Sequence, residues 1–100
     1  MTPNGRTLLH SAACGGRFEV FKLISDNTED NNPIARNGCT PLHVAAWKGH
    51  LRICKYIIGK VVDKKLAINF KDIFNFTPLE YAEGFHHQHV VDYMKSVTEN

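Results

Sequence analysis

A chain of 100 residues with 43% apolar and 22% charged side chains has the balance of one small folded unit, which excludes a disordered tail and a large two-domain enzyme. Its 12 basic and 10 acidic residues leave a net +2, too little to argue for nucleic acid, and the longest apolar runs (Ile57-Ile58, Val61-Val62, Leu66-Ala67-Ile68) fall far short of the roughly 20 residues a bilayer span needs. No secretory leader is read, and Cys14, Cys39 and Cys54, with no CxxC spacing, suit neither a disulfide framework nor a four-ligand zinc site, so reduced thiols in a cytoplasmic or nuclear protein are expected.

In chain order, Asn4-Gly5 is a tight-turn dipeptide, and Thr7 can cap a short helix through Leu8-Leu9-His10-Ser11-Ala12-Ala13 that Gly16 stops. Phe18, Val20, Leu23 and Ile24 fall on a second, amphipathic helix over 18–25. Asn27 to Gly38 reads as loop, with the turn dipeptide Asn37-Gly38 at its tip. Thr40 then opens the same pattern again as Thr40-Pro41-Leu42-His43-Val44-Ala45-Ala46, with proline where the first helical turn needs no N–H, and Gly49 ends it. A second amphipathic helix follows over 51–60. After a loop from Asp72 to Asn75, the pattern returns as Thr77-Pro78-Leu79-Glu80-Tyr81-Ala82-Glu83, with its second helix over 88–97. The threonines are spaced 33 and then 37 residues apart, and a two-part pattern recurring at such a period is the mark of a solenoid.

The stretch TPLHVAAWKGHLRICKYII, Thr40 to Ile58, resembles an ankyrin repeat, and the flanking copies are similar to the same family from about Asn4 to Val97. The resemblance implies an all-α ankyrin-repeat solenoid of three helix-turn-helix units with short β-turn or hairpin-like loops. As one domain over 1–100, it divides into repeat 1 at about 4–36, repeat 2 at about 37–73 and repeat 3 at about 74–100. The first copy departs from the pattern with Leu8 for proline. The third carries Glu80 for histidine, Asn75 for the turn glycine and His86-His87 for Gly-His, which puts the family's inter-repeat histidine bond in doubt there alone.

The four extra residues of the second spacing lie near 59–68. Four residues are about one helical turn, so they either extend the second helix of repeat 2 to about Lys65 or bulge as a loop, after which Leu66 and Ile68 return to the core. Repeat 1 shows Phe18 and Phe21 one turn apart, only one of which can face the core of repeat 2, whereas repeat 3 ends in the polar Lys95 to Asn100. A segment of a longer array is one expectation from these ends.

Of six histidines, His86, His87 and His89 are the densest group, but at most two can converge from a helix, so an exposed helix start is expected rather than a metal site. His10 and Cys14 share a face without a third ligand. No phosphate loop, carboxylate pair or HExxH motif occurs, and neither catalytic residues nor a cofactor are expected.

Charge is uneven. Asp26 to Asn32 carries −3, and Lys48 to Lys71 carries seven cations against Asp63, or +6. This run reads either as a solvated face or as a contact patch for an acidic partner, with no interleaved aromatics to suit nucleic acid. By the resemblance, the variable concave positions are Asn4, Arg6, Cys14 and Gly15, then Arg36, Asn37, Cys39, Trp47 and Lys48, then Ile73, Phe74, Phe76 and Phe85, with Tyr81 beside them. Such aromatics suit an interface, although Ile73, Phe74 and Phe76 could instead fold back over the enlarged junction. The expected function is a non-catalytic module, monomeric or associating through its repeat ends, that binds a protein partner, acidic if the basic run is a contact patch, on this concave surface. Its alternatives are a structural spacer in a longer array or an accessory regulatory domain of an enzyme or channel.

Overall fold

The threonine-led segments form helices because each threonine caps its own first turn. Thr40, in extended backbone, accepts from the His43 N–H at 3.3 Å while His43 Nδ1 accepts from the Thr40 N–H at 3.1 Å. Thr77 and Glu80 make the same reciprocal pair at 3.1 and 3.0 Å. The computed structural model describes residues 8–27 and 32–98, so Thr7 and Asn4-Gly5 lie outside the described residues. Among the described residues there are seven helices and no strand: α1 (Leu8–Gly15), α2 (Phe18–Asp26), α3 (Pro41–Lys48), α4 (Leu51–Lys60), α5 (Lys64–Ile68), α6 (Pro78–Gly84) and α7 (Gln88–Thr98). The helices expected over 18–25, 51–60 and 88–97 are α2, α4 and α7.

Helices α1, α3 and α6 stack as an inner row, with α2, α4 and α7 behind them. Ala12, Ala13, Ala45, Ala46 and Ala82 are buried along the inner row, where a single methyl group lets helices approach closely. Phe21, Ile53, Ile57, Ile58, Val90 and Met94 fill the space behind. Phe21 is the fully buried member of the expected pair, and Phe18 packs edge-on against Tyr56 at 5.5 Å. Tyr56 also donates to Asp26, which Lys60 approaches at 3.0 Å and Lys22 at 3.5 Å. The Tyr56 hydrogen bond and then the Lys60 one hold the Asp26 carboxyl at about 2.

Histidines join the units. His10 Nε2 donates to Cys39 O at 2.8 Å, and His43 Nε2 donates to Phe76 O at 3.1 Å. Glu80 makes its cap bond within its own turn, so the third copy departs from this pattern as its sequence suggests. The loops are hairpin-like: Ala35 N–H bonds Cys39 O at 2.8 Å and Asp72 N–H bonds Phe76 O at 3.0 Å, while Ile73 N–H reaches Asn37 O at 2.9 Å to tie the two tips together. Gly38 has φ 77°, and a Cβ there would press on the Asp72 backbone. Asn75 takes the same left-handed place in the third copy with φ 68°.

The insertion does not lengthen α4. Val61 turns extended (φ −77°, ψ 148°), and Asp63 starts a new helix by accepting from the Leu66 N–H at 2.9 Å. Ala67 and Ile68 then enter the core and Leu66 faces out, which corrects the expectation that Leu66 returns to the core. The end of repeat 1 carries exposed Leu8, Val20 and Leu23.

Burial holds the His43 imidazole below the ordinary value of 6.5, against the hydrogen bond to Phe76 O that favours the charged form. Its Nδ1 must stay unprotonated to accept from Thr40. Because the folded value is lowered, the unfolded chain takes up a proton first, so stability is flat above about pH 6.5 and falls as the pH drops below it, with a slope of at most ~1.4 kcal/mol per pH unit from this one group. Urea midpoints measured from pH 8 to 5 should show that fall, and His43→Gln should flatten it. Cys54 is fully buried and its thiol is pushed up to about 12 by that burial. Timed alkylation read by mass spectrometry should modify Cys14 and Cys39 in the native protein and Cys54 only after denaturation.

Candidate functional site

The concave groove follows from this stacking. Tied hairpin tips form one wall and the exposed ends of α3 and α6 the other. The cavity between them, about 300 Å³, is lined by Asn37, Cys39, His43, Val44, Trp47, Asp72, Phe74, Tyr81 and Phe85. Trp47 and Phe85 stand with ring centroids 6.0 Å apart and remain 37% and 53% exposed.

The floor is polar and satisfied. Asp72 is buried, and its Oδ1 accepts from the Phe74 and Phe76 N–H groups at 2.9 and 3.1 Å, while Oδ2 accepts from the Tyr81 hydroxyl. Burial opposes the Asp72 charge, yet the bonds from Tyr81, Phe76 and Phe74 hold its carboxyl below the usual range. Burial first, and then the Asp72 carboxylate, push the Tyr81 phenol up, so the hydroxyl stays a donor. What the groove offers a ligand is apolar area above a fixed hydrogen-bonded base.

Six of the expected concave residues meet here: Asn37, Cys39, Trp47, Phe74, Tyr81 and Phe85. Lys48 lies beside the groove with Nζ 4.1 Å from the Trp47 ring, and Phe76 packs on Tyr81 at 5.7 Å. Arg36 and Ile73 are exposed at the hairpin tips but do not line the cavity. Cys14 and Gly15 at the end of α1 do not line it either, and Arg6 and Asn4 lie outside the described residues. Ile73, Phe74 and Phe76 stay exposed and do not fold back over the insertion, whose own α5 closes the junction. His43, Val44 and Asp72 are additions to the expected set. Val44 sits one helical turn before Trp47, so a helical projection of α3 reveals it. Asp72 needs the hairpin geometry.

His87 and His89 are more than an exposed helix start. His87 Nε2 donates to Trp47 O at 2.9 Å and His89 Nε2 to Gly49 O at 3.0 Å, closing the last carbonyls of α3 from the next unit. The His87 ring lies over Gly49, as the His50 ring lies over Gly16, leaving no room for a Cβ at either glycine. Among the described residues no group of three or more His, Cys, Asp or Glu side chains could hold a metal ion. No helix among them is long and apolar enough to cross a membrane.

A family model described as ankyrin repeats (3 copies) matches residues 1–68. The chain is 38% identical over 58 residues to the Notch-regulated ankyrin repeat-containing protein of Xenopus tropicalis, covering 58% of this chain and 51% of that protein. It is 32% identical over 71 residues to protein phosphatase 1 regulatory subunit 27 of Mus musculus, covering 71% and 46%. It is 29% identical over 91 residues to the transient receptor potential cation channel subfamily A member 1 of Drosophila melanogaster, covering 90% of this chain and 8% of the channel. The chain thus spans about half the length of the first of these relatives. Ankyrin repeats generally mediate protein–protein interaction and are generally non-catalytic. Helix pairs stacked through motif histidines and a match over residues 1–68 lead to one conclusion: the chain belongs to the ankyrin-repeat family.

Proposed function

We propose that the chain is a non-catalytic protein-binding module whose concave groove takes a peptide or a domain surface of a partner. The observation that carries this is the pairing of Trp47 with Phe85, two exposed rings over an open apolar groove with a satisfied floor. Large aromatics that bury themselves on binding are the usual anchors of an interface. Arg36 and Lys48 favour an acidic partner, since cations near the groove steer and orient an approaching anion, and Arg6, which lies outside the described residues, is proposed to add to them on the strength of its sequence position. Cys39, Ile73 and Phe76 extend the contact along the hairpin tips. The three cysteines, which remain thiols, favour a cytoplasmic or nuclear setting and a monomeric chain with repeats at about 4–36, 37–73 and 74–100.

A second role is a unit of a longer array, as spacer or as an accessory domain. Exposed Leu8, Val20 and Leu23 favour it, because their equivalents Pro41, Ile53 and Tyr56 in the second unit are covered wholly or in part. The two roles differ in solution: a module that stands alone should sediment as a monomer at every concentration, whereas an open stacking end should self-associate as the concentration rises.

Quantitative pull-down with the wild-type chain and with Trp47→Ala/Phe85→Ala tests the groove. Loss of two anchor residues should weaken a partner held there by at least ~30-fold, the equivalent of one strong interface position, with the thermal midpoint recorded to separate binding from folding. Equal retention of every partner by both proteins removes the groove as the site.

A further inference from the structure

The insertion that builds α5 also builds a second groove. Because Val61 turns extended and Asp63 caps the new helix, Ala67 and Ile68 are directed inward, which obliges Val62 and Leu66 to face out. Val62 is 102% exposed and Leu66 62%, and Ile34, arriving from the loop before the second hairpin, is 59% exposed. Between them lies a cavity of about 310 Å³ walled by Ile34, Val61, Val62, Leu66 and Phe70. It shares no residue with the concave groove.

Exposed lysines flank these lining residues in the chain. Lys64 and Lys65 stand on α5 and Lys71 follows it, and none of the three makes an ion pair among the described residues, whereas Lys60 is engaged by Asp26. Among the described residues the only acid lining the cavity is Asp63, whose Oδ1 accepts from the Leu66 N–H. An apolar trough flanked by exposed lysines that make no ion pair among the described residues is complementary to a segment that carries apolar side chains on one face and carboxylates on the other. A concave trough takes inserted side chains, which a flat lipid surface cannot supply in the same way.

We propose that this groove is a second docking site that receives an acidic amphipathic segment of a partner protein, independently of the concave face. The segment lays aliphatic side chains against Val62, Leu66 and Ile34, and its carboxylates face Lys64, Lys65 and Lys71. The contact is modest in area, so it adds to binding elsewhere on the same partner through effective concentration.

The test uses a fluorescent synthetic peptide of about 18 residues, long enough to form a helix, with leucines on one face and glutamates on the other. A second peptide has every glutamate replaced by glutamine. The expected result is that amide resonances of residues around Ile34, Val62 and Leu66 shift with the acidic peptide. Val62→Asp/Leu66→Glu should weaken the binding read at these resonances at least ~10-fold, about 1.4 kcal/mol, and the glutamine peptide should bind more weakly. Both substitutions are at exposed side chains, and an unchanged thermal midpoint shows that the fold is retained. The proposal is overturned if millimolar acidic peptide shifts none of these residues, if the double variant binds it equally, or if the glutamine peptide binds as tightly. It is overturned in favour of a lipid surface if phosphatidylserine vesicles capture the chain through Val62 and Leu66 while the acidic peptide does not bind there.

Discussion

His43 holds two distant stretches of chain at once, and it can do so only as a neutral ring. Its Nδ1 accepts the Thr40 N–H and so completes the cap of α3, while its Nε2–H reaches Phe76 O and fixes the foot of the next hairpin. Both partners are within the stack, and leaving either unsatisfied costs about 1–3 kcal/mol. With Phe76 anchored, the Asp72 N–H closes the hairpin, the Asp72 carboxylate gathers the Phe74 and Phe76 amides, and Tyr81 docks on that carboxylate. The concave wall is therefore a consequence of one imidazole. His10 performs the corresponding anchoring on Cys39, one unit earlier.

Much of the frame is legible in the residues. The Thr-Pro pairs, the i, i+3, i+4 spacing of Ile53, Tyr56 and Ile57, and the left-handed sites at Gly38 and Gly49 each state a local preference that the packing agrees with. The departures lie where two local preferences compete. From Lys60 onward the chain could continue helical or cap anew at Asp63, and spacing alone does not separate these, because both keep apolar residues within reach of the core. The cap prevails with Val61 extended, and this choice turns Leu66 outward. His87 and His89 were hidden for a different reason. Their partners, Trp47 O and Gly49 O, lie 40 residues away, and a backbone carbonyl leaves no sign of itself in a side-chain pattern. The pairing of Asp72 with Tyr81 has the same origin. For the concave aromatics, the sequence identifies the positions, but whether Ile73, Phe74 and Phe76 cover the junction or stay open depends on how much of it α5 already fills.

The basic run also changes meaning once folded. Lys48 sits over Trp47, Arg52 lies 4.2 Å from the Phe18 ring, Lys55 approaches Tyr93 at 5.4 Å, and Lys60 joins Asp26. Cations over rings lose little hydration and cover apolar surface with their stems. Four of the seven charges are thus occupied along the back and rim of the second unit. The remaining three gather around α5, so a diffuse excess in the sequence becomes a local one in space.

Helix α5 touches α4, α6 and α7 together, whereas α1 and α2 meet the second unit chiefly through α3, α4 and the His10 bond to Cys39 O. In a stack whose units are coupled only to their neighbours, the resistance to opening is set junction by junction. The molecule therefore has a firm end and a yielding one. The second and third units, which carry both grooves, should open as a single cooperative block, and the first unit should come undone ahead of them. A ligand seated in either groove would leave that early fraying almost untouched, so amide exchange in α1 and α2 would proceed at nearly the same rate in the free and occupied protein.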